Sequence, residues 1–156
     1  MAAMNLDQLS GSLSAPLQVL YVIHGEEDLL RIEALDLLRA AAKKQGYLNR
    51  EVYTADTYFD WDEMLQSASS MGLFSDLKFM EIHIPNGKPG KPGGDALQQL
   101  AERLPEDTVV TIVLPKLEKA QTSSKWFTSL AKKGAILEAK AIGTQALPQW
   151  IRNRLS

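Results

Sequence analysis

The segment His24-Gly25-Glu26-Glu27-Asp28 follows an apolar, β-rich run from Leu17 to Ile23 and precedes a helical pattern. In an α/β sheet this first strand-to-helix turn is where glycine amides and a helix N-terminus cradle a nucleotide phosphate. Phosphate chemistry there calls for Gly-x-x-x-x-Gly-Lys-Ser/Thr: glycines for close backbone approach, Lys for the β- and γ-phosphates, a hydroxyl for magnesium. This turn offers one glycine and three carboxylates, and neither Lys nor Ser/Thr stands where the phosphates and magnesium need them. It would repel a triphosphate. The later strand Glu81-Ile82-His83-Ile84-Pro85 carries only a mid-strand carboxylate, where a metal-holding acidic pair would sit at the tip. ATP hydrolysis is not expected.

Other chemistry fares no better. No Gly-x-Gly-x-x-Gly follows the first strand, and the glycines between Pro85 and Gly94 are interrupted by prolines. His24 and His83 are the only histidines, neither has a second ligand in His-x-x-x-His spacing, and both read as structural imidazoles. No serine sits in a Gly-x-Ser-x-Gly elbow. The absence of cysteine removes thiolate nucleophiles, disulfides and sulfur-ligated metals. No catalytic residue, cofactor or metal is expected.

The elements that would position any site alternate regularly. After the first strand, Leu30, Ala34, Leu37, Leu38 and Ala41 form a helical stripe, closed by Lys43-Lys44 and a Gly46 stop. Val52 and Tyr53 mark a second strand, after which Asp60 caps a helix in a capping box with Glu63, stapled by Phe59 and Met64. A third strand, Lys78 to Ile84, sets Met80, Ile82 and Ile84 against Phe79, Glu81 and His83, so its second face is expected to be only partly covered. Pro85 to Gly94 reads as a mobile surface loop, and a helix follows around Ala96 to Arg103. Thr108 to Leu114, apolar on both faces, is a central strand. A helix through Lys125 to Lys132, with Trp126, Phe127 and Leu130 facing the core, and a short strand at Ala135 to Leu137 complete the unit. This alternation predicts an α/β fold with an open, mainly parallel five-stranded sheet and helices on both faces.

A 156-residue chain with 45% hydrophobic and 23% charged residues is long enough for one buried core. Residues 1–141 are assigned to this domain. Residues 142–156, with Trp150 and Ile151, read as the start of a second, lid-like helical domain cut short here. The start lacks signal-peptide features and no apolar run reaches membrane-spanning length, so a cytoplasmic, membrane-free setting is expected. Nineteen acidic against seventeen basic residues give a net charge of -2, so any DNA contact must be local or shared with partners.

Between the capped helix and the third strand lies Ser69-Ser70-Met71-Gly72-Leu73-Phe74-Ser75-Asp76, a connector with large apolar side chains. Two placements are open. Gly72 can take the left-handed stop position, letting Leu73 fold back near Ala68 while Phe74 closes the edge of the core. Alternatively Met71, Leu73 and Phe74 project as anchors for a hydrophobic pocket on a partner.

Four blocks bear on the choice: Leu20-Tyr21-Val22-Ile23-His24-Gly25-Glu26-Glu27, Asp60-Trp61, Ser70-Met71-Gly72-Leu73-Phe74, and Lys116-Leu117-Glu118-Lys119-Ala120-Gln121 followed by Trp126-Phe127. In these the chain resembles the delta subunit of the bacterial DNA polymerase III clamp loader along nearly all its length. The resemblance implies a first domain like the nucleotide-binding fold of clamp-loader ATPases, with the phosphate loop lost. It implies that Ser70, Met71, Leu73 and Phe74 match a hydrophobic wedge that enters a pocket on the beta sliding clamp and favours an opened ring. Gly72 departs from the pattern, at a position expected to hold an ordinary polar residue in other members. The collar domain that joins other loader subunits would lie beyond Ser156, so a monomer is expected, meeting primer-template DNA only within an assembled loader.

Lys116 and Lys119 are candidates for DNA or subunit contact, against simple solvent exposure. Three other readings compete. A divergent nucleotide-binding domain is opposed by the acidic turn. A weak DNA-binding module using Lys88, Lys91, Lys116 and Lys119 is opposed by the net charge. A receiver-like domain lacks a convincing acidic cluster with its Asp and Lys.

Overall fold

The computed structural model describes residues 17–55, 59–69, 77–103 and 108–138. Its elements are β1 (Leu20–His24), α1 (Asp28–Lys44), β2 (Asn49–Thr54), α2 (Trp61–Ser69), β3 (Lys78–His83), α3 (Gly90–Glu102), β4 (Thr108–Val113), α4 (Lys119–Thr122), α5 (Lys125–Lys133) and β5 (Ala135–Glu138). The strands form one sheet in the order β2-β3-β4-β1-β5. Every pairing is parallel, with Val22 opposite Ile112 on one side and Ile136 on the other.

Side-chain alternation divides the core into two layers. On one face Leu20, Val22, Met80, Ile82, Val110 and Ile112 pack against Met64 of α2, Leu97 and Leu100 of α3, and Trp126, Phe127 and Leu130 of α5. On the other, Tyr21, Ile23, Phe79, Val109 and Leu137 pack against Ala34, Leu35, Leu38 and Ala42 of α1. Both faces of β1 and β4 are therefore covered, which is why their sequences are apolar throughout. β2 is an edge strand, exposed at alternate positions.

The buried stripe of α1 is Ala34, Leu35, Leu38 and Ala42. It is rotated from the expected set: Leu37 packs against this layer from a half-buried position, and Leu30 and Ala41 are also half-buried. The helix ends as expected. Gly46 takes φ 98°, its amide donates to Lys43 O at 3.2 Å, and Tyr47 N donates to Ala42 O at 2.8 Å. This is the paired closing bond pattern that a left-handed glycine permits.

Two expectations are corrected. Gly90 to Gly94 are not loop but the opening turns of α3, and Gly93 and Gly94 are buried. Pro92 is tolerated there because a first-turn residue needs no N–H donor. The glycines fit because a Cβ on Gly93 would stand 2.6 Å from Trp61 Cζ2, and one on Gly94 would stand 3.3 Å from Trp126 Cδ1. The second face of β3 is likewise fully covered at its centre, since Phe79 and Glu81 are buried.

At the start of α2, Glu63 N donates to Asp60 Oδ1 at 3.0 Å, the expected cap. Phe59 and Met64 both join the first core layer.

Candidate functional site

At the carboxyl-terminal edge of the sheet, the β1-to-α1 turn is held by the chain's own groups. Gly25 N donates to Pro115 O at 3.3 Å. Asp28 pairs with Arg31, which also donates from Nη1 to Leu114 O at 3.2 Å. Glu26 lies 3.5 Å from Lys116 Nζ. Beside the turn is a cavity of about 410 Å³, walled by Ile32 and Leu35 of α1, Ile84, Val113 and Leu114, with Asp28, Arg31 and His83 at its polar margin. The place a phosphate would occupy thus faces carboxylates from the turn, and the nearby cations already have partners.

Both histidines have structural surroundings. His24 is buried and meets Phe127 edge-on, with ring centroids 5.3 Å apart. Burial pushes its pKa down, so the imidazole is held neutral. His83 Nε2 lies 3.2 Å from Glu81 Oε2. Among the described residues no group of His, Asp and Glu has metal-holding geometry.

The polar cluster that sequence reasoning missed is centred on Glu81. This carboxylate, fully buried in β3, accepts a two-pronged bond from Arg39 of α1: Nε to Oε1 at 2.6 Å and Nη2 to Oε2 at 2.7 Å. Arg50 Nε of β2 stands 3.1 Å from Oε1. Burial alone would push the carboxyl up. The bonds from Arg39 and His83 and the charges of Arg39 and Arg50 outweigh it, and the pKa falls to about 2. The available signal was a Glu inside an otherwise apolar buried strand, which demands a cation from a neighbouring element.

The candidate wedge residues Ser70, Met71, Leu73 and Phe74 lie outside the described residues. Their flanks are described: α2 ends at Ser69, and Leu77 O accepts from Asn49 N at 3.4 Å where β2 and β3 begin. In a parallel sheet the start of β3 belongs to the amino-terminal edge, opposite the β1-to-α1 turn. Lys116 is exposed and paired with Glu26. Lys119, also exposed, opens the short helix α4. Both follow the carboxyl end of β4, so the structure does not bring them together with the flanks of residues 70–76.

Strand order, parallel register and an acid-filled first turn define an α/β domain with no phosphate-loop motif at that turn. Among solved structures, the Bacillus subtilis DNA clamp loader delta protein superposes with a TM-score of 0.74 at 18% identity, covering 94% of this chain and 46% of that one. A DNA polymerase III gamma subunit-related protein from Thermotoga maritima gives a TM-score of 0.53 at 14% identity, covering 95% and 49%. The family profile described as DNA polymerase III, delta subunit matches residues 21–140, and the chain belongs to that family, the clamp-loader delta subunits of DNA replication. The DNA polymerase III subunit delta of Escherichia coli K12 is 27% identical over 148 residues, 95% of this chain and 43% of its own length. The chain therefore spans under half the length of that relative.

Proposed function

We propose that this chain is the clamp-binding, amino-terminal part of a clamp-loader delta subunit, and that it favours an opened sliding clamp without hydrolysing ATP. The observation that carries this reading is the family match over residues 21–140, which spans both the acid-filled turn and the Ser70-Met71-Gly72-Leu73-Phe74 block. In this reading Met71, Leu73 and Phe74 enter an apolar pocket on the beta clamp, with Ser70 at the rim. A protein that binds the open ring better than the closed one shifts the population by that difference in affinity, and no bond need be broken. Other loader subunits would join through regions beyond this chain, supply the ATP chemistry and share any primer-template DNA. Lys116 and Lys119 are proposed as secondary contacts there, Lys116 with its charge already partly spent on Glu26. The setting would be the cytoplasm, and the domain alone would be a monomer.

Burying Leu73 and Phe74 would contribute roughly 1.5–3 kcal/mol each before the costs of association. Leu73→Ala/Phe74→Ala should therefore abolish measurable binding to the beta clamp while the circular dichroism spectrum is unchanged. Equal binding by the double variant would make these residues closers of the core and leave the clamp reading without support.

A further inference from the structure

We propose a second contact on the same partner: the basic pocket formed by Arg39, Lys43 and Arg50 receives a carboxylate-bearing segment of the sliding clamp, next to the site that takes residues 71–74. The proposal rests on the clamp-binding reading and adds a surface to it. The pocket, about 190 Å³, lies between the end of α1 and edge strand β2, with Tyr47, Leu48 and Phe79 as its apolar walls. Three cations line it, and none of the lining residues is acidic.

Its two arginines are fixed before any partner arrives. Buried Glu81 accepts Arg39 Nε at 2.6 Å and Arg39 Nη2 at 2.7 Å, and pairs with the Arg50 charge, whose Nε stands 3.1 Å away. Arg39 Nη1 also lies 3.5 Å from Asp36 Oδ1, so Arg39, Arg50 and Lys43 face two carboxylates, Glu81 and Asp36, and the group keeps one positive charge and the free donors of Arg50 and Lys43 in excess. The side chains of Arg39 and Arg50 are 32% and 49% exposed, so the surplus is available at the surface. Preorganised donors of this kind favour an anion because little side-chain freedom remains to be lost on binding.

The surroundings favour a protein over nucleic acid. Leu48 is 73% exposed and Val52 of the same edge is 49% exposed, apolar surface that a phosphate backbone has no use for. Arg and Tyr beside an exposed aliphatic side chain is the composition of protein interfaces, where apolar anchors are ringed by polar contacts. Position names the partner. Asn49, between the lining residues Leu48 and Arg50, is bonded to Leu77, three residues after Phe74. Three residues span at most about 11 Å of extended chain, so a partner holding Phe74 has this pocket within reach.

The test measures affinity of this chain for the clamp of the same organism across a range of salt, and in parallel for a short primer-template duplex. Lys43→Gln removes one charge of the pocket without placing a carboxylate beside Arg39. Arg50→Gln removes the other exposed charge without setting a second carboxylate against Glu81. Each should weaken clamp binding roughly threefold to tenfold and flatten its salt dependence, with the dichroism spectrum unchanged. If Leu73→Ala/Phe74→Ala abolishes binding while both charge variants bind like wild type at every salt concentration, the pocket proposal is overturned and the clamp reading stands. If wild type does not bind the clamp, both fall. If the charge variants lose affinity for the duplex alone, the pocket is a nucleic-acid contact and this assignment is wrong.

Discussion

Removing Arg39 should destabilise the fold more than removing the buried carboxylate it serves. Arg39→Ala deletes the closest contact to each oxygen of Glu81, at 2.6 and 2.7 Å, and leaves a fully buried charge to Arg50 and His83. Breaking a buried pair from one side costs about 3–5 kcal/mol, and Arg50 moderates the loss. The proton equilibrium reports the net effect of the whole cluster, His83 and Arg50 included. Moving the carboxyl from 4.5 to about 2 corresponds to on the order of 3 kcal/mol at neutral pH. About 3 kcal/mol in a chain of this size lowers Tm by roughly 6–12 °C. Glu81→Leu behaves differently, because Arg39 and Arg50 are partly exposed and can turn to water, while a side chain of similar volume fills the core. Its cost should be about 1 kcal/mol or less. Because the folded pKa is depressed, the stabilisation is complete above the unfolded value and is lost as pH falls from 4.5 towards 2. Urea unfolding of wild type, both single variants and the double variant at pH 7 and pH 3 measures all of this. If Glu81→Leu costs as much as Arg39→Ala at pH 7, or the Arg39→Ala penalty does not shrink at pH 3, the account of this cluster is refuted.

Two further substitutions test the packing. Thr111 Oγ1, buried in β4 opposite Glu81 in the register, has no hydrogen-bond partner among the described residues. Thr111→Val should raise stability by about 1 kcal/mol, read as an increase in Tm, and a decrease would mean that the hydroxyl has an uncounted role. Gly93→Ala places a methyl 2.6 Å from Trp61 Cζ2 and 2.7 Å from Pro89 Cβ, so the start of α2 must shift. The expected loss is about 1–3 kcal/mol with a changed tryptophan emission spectrum, and a variant with wild-type Tm would show that Trp61 moves aside freely.

The fold was legible wherever local pattern and tertiary environment agree. β1 read as an apolar, buried strand and β4 as a central one because residues covered on both faces are apolar on both faces, and the end of α1 was carried by Lys43-Lys44 and Gly46. The failures share one cause. Gly90 to Gly94 has a loop's composition, and its helix follows from the need for small residues against Trp61 and Trp126, which no local window contains. Glu81 appeared to weaken one face of β3 because the cations that complete it come from α1 and β2, 42 and 31 residues away in sequence. The acidic character of the first turn was legible because it lies in five consecutive residues, His24 to Asp28, and needs no tertiary context to be seen. Ser70, Met71, Leu73 and Phe74 lie outside the described residues, and their proposed role depends on a surface belonging to another molecule.

The two ends of the sheet point to a division of labour. An ATPase turn is completed by its ligand, which brings the charge that the glycine-rich backbone awaits. Here Arg31 and Lys116 pair with Asp28 and Glu26 from within the chain, so two of the turn's three carboxylates are offset by its own side chains. At the opposite edge the balance is reversed: Glu81 and Asp36 offset Arg39 and Arg50, and Lys43 in the same pocket adds a positive charge in excess, beside the flank of residues 70–76. In the proposed reading, affinity for the clamp would then be set by fixed residues at the amino-terminal edge and would be indifferent to ATP added to this chain alone. In the same reading any nucleotide dependence of clamp opening would enter through the other loader subunits, by changing whether this edge can reach the clamp rather than how tightly it binds.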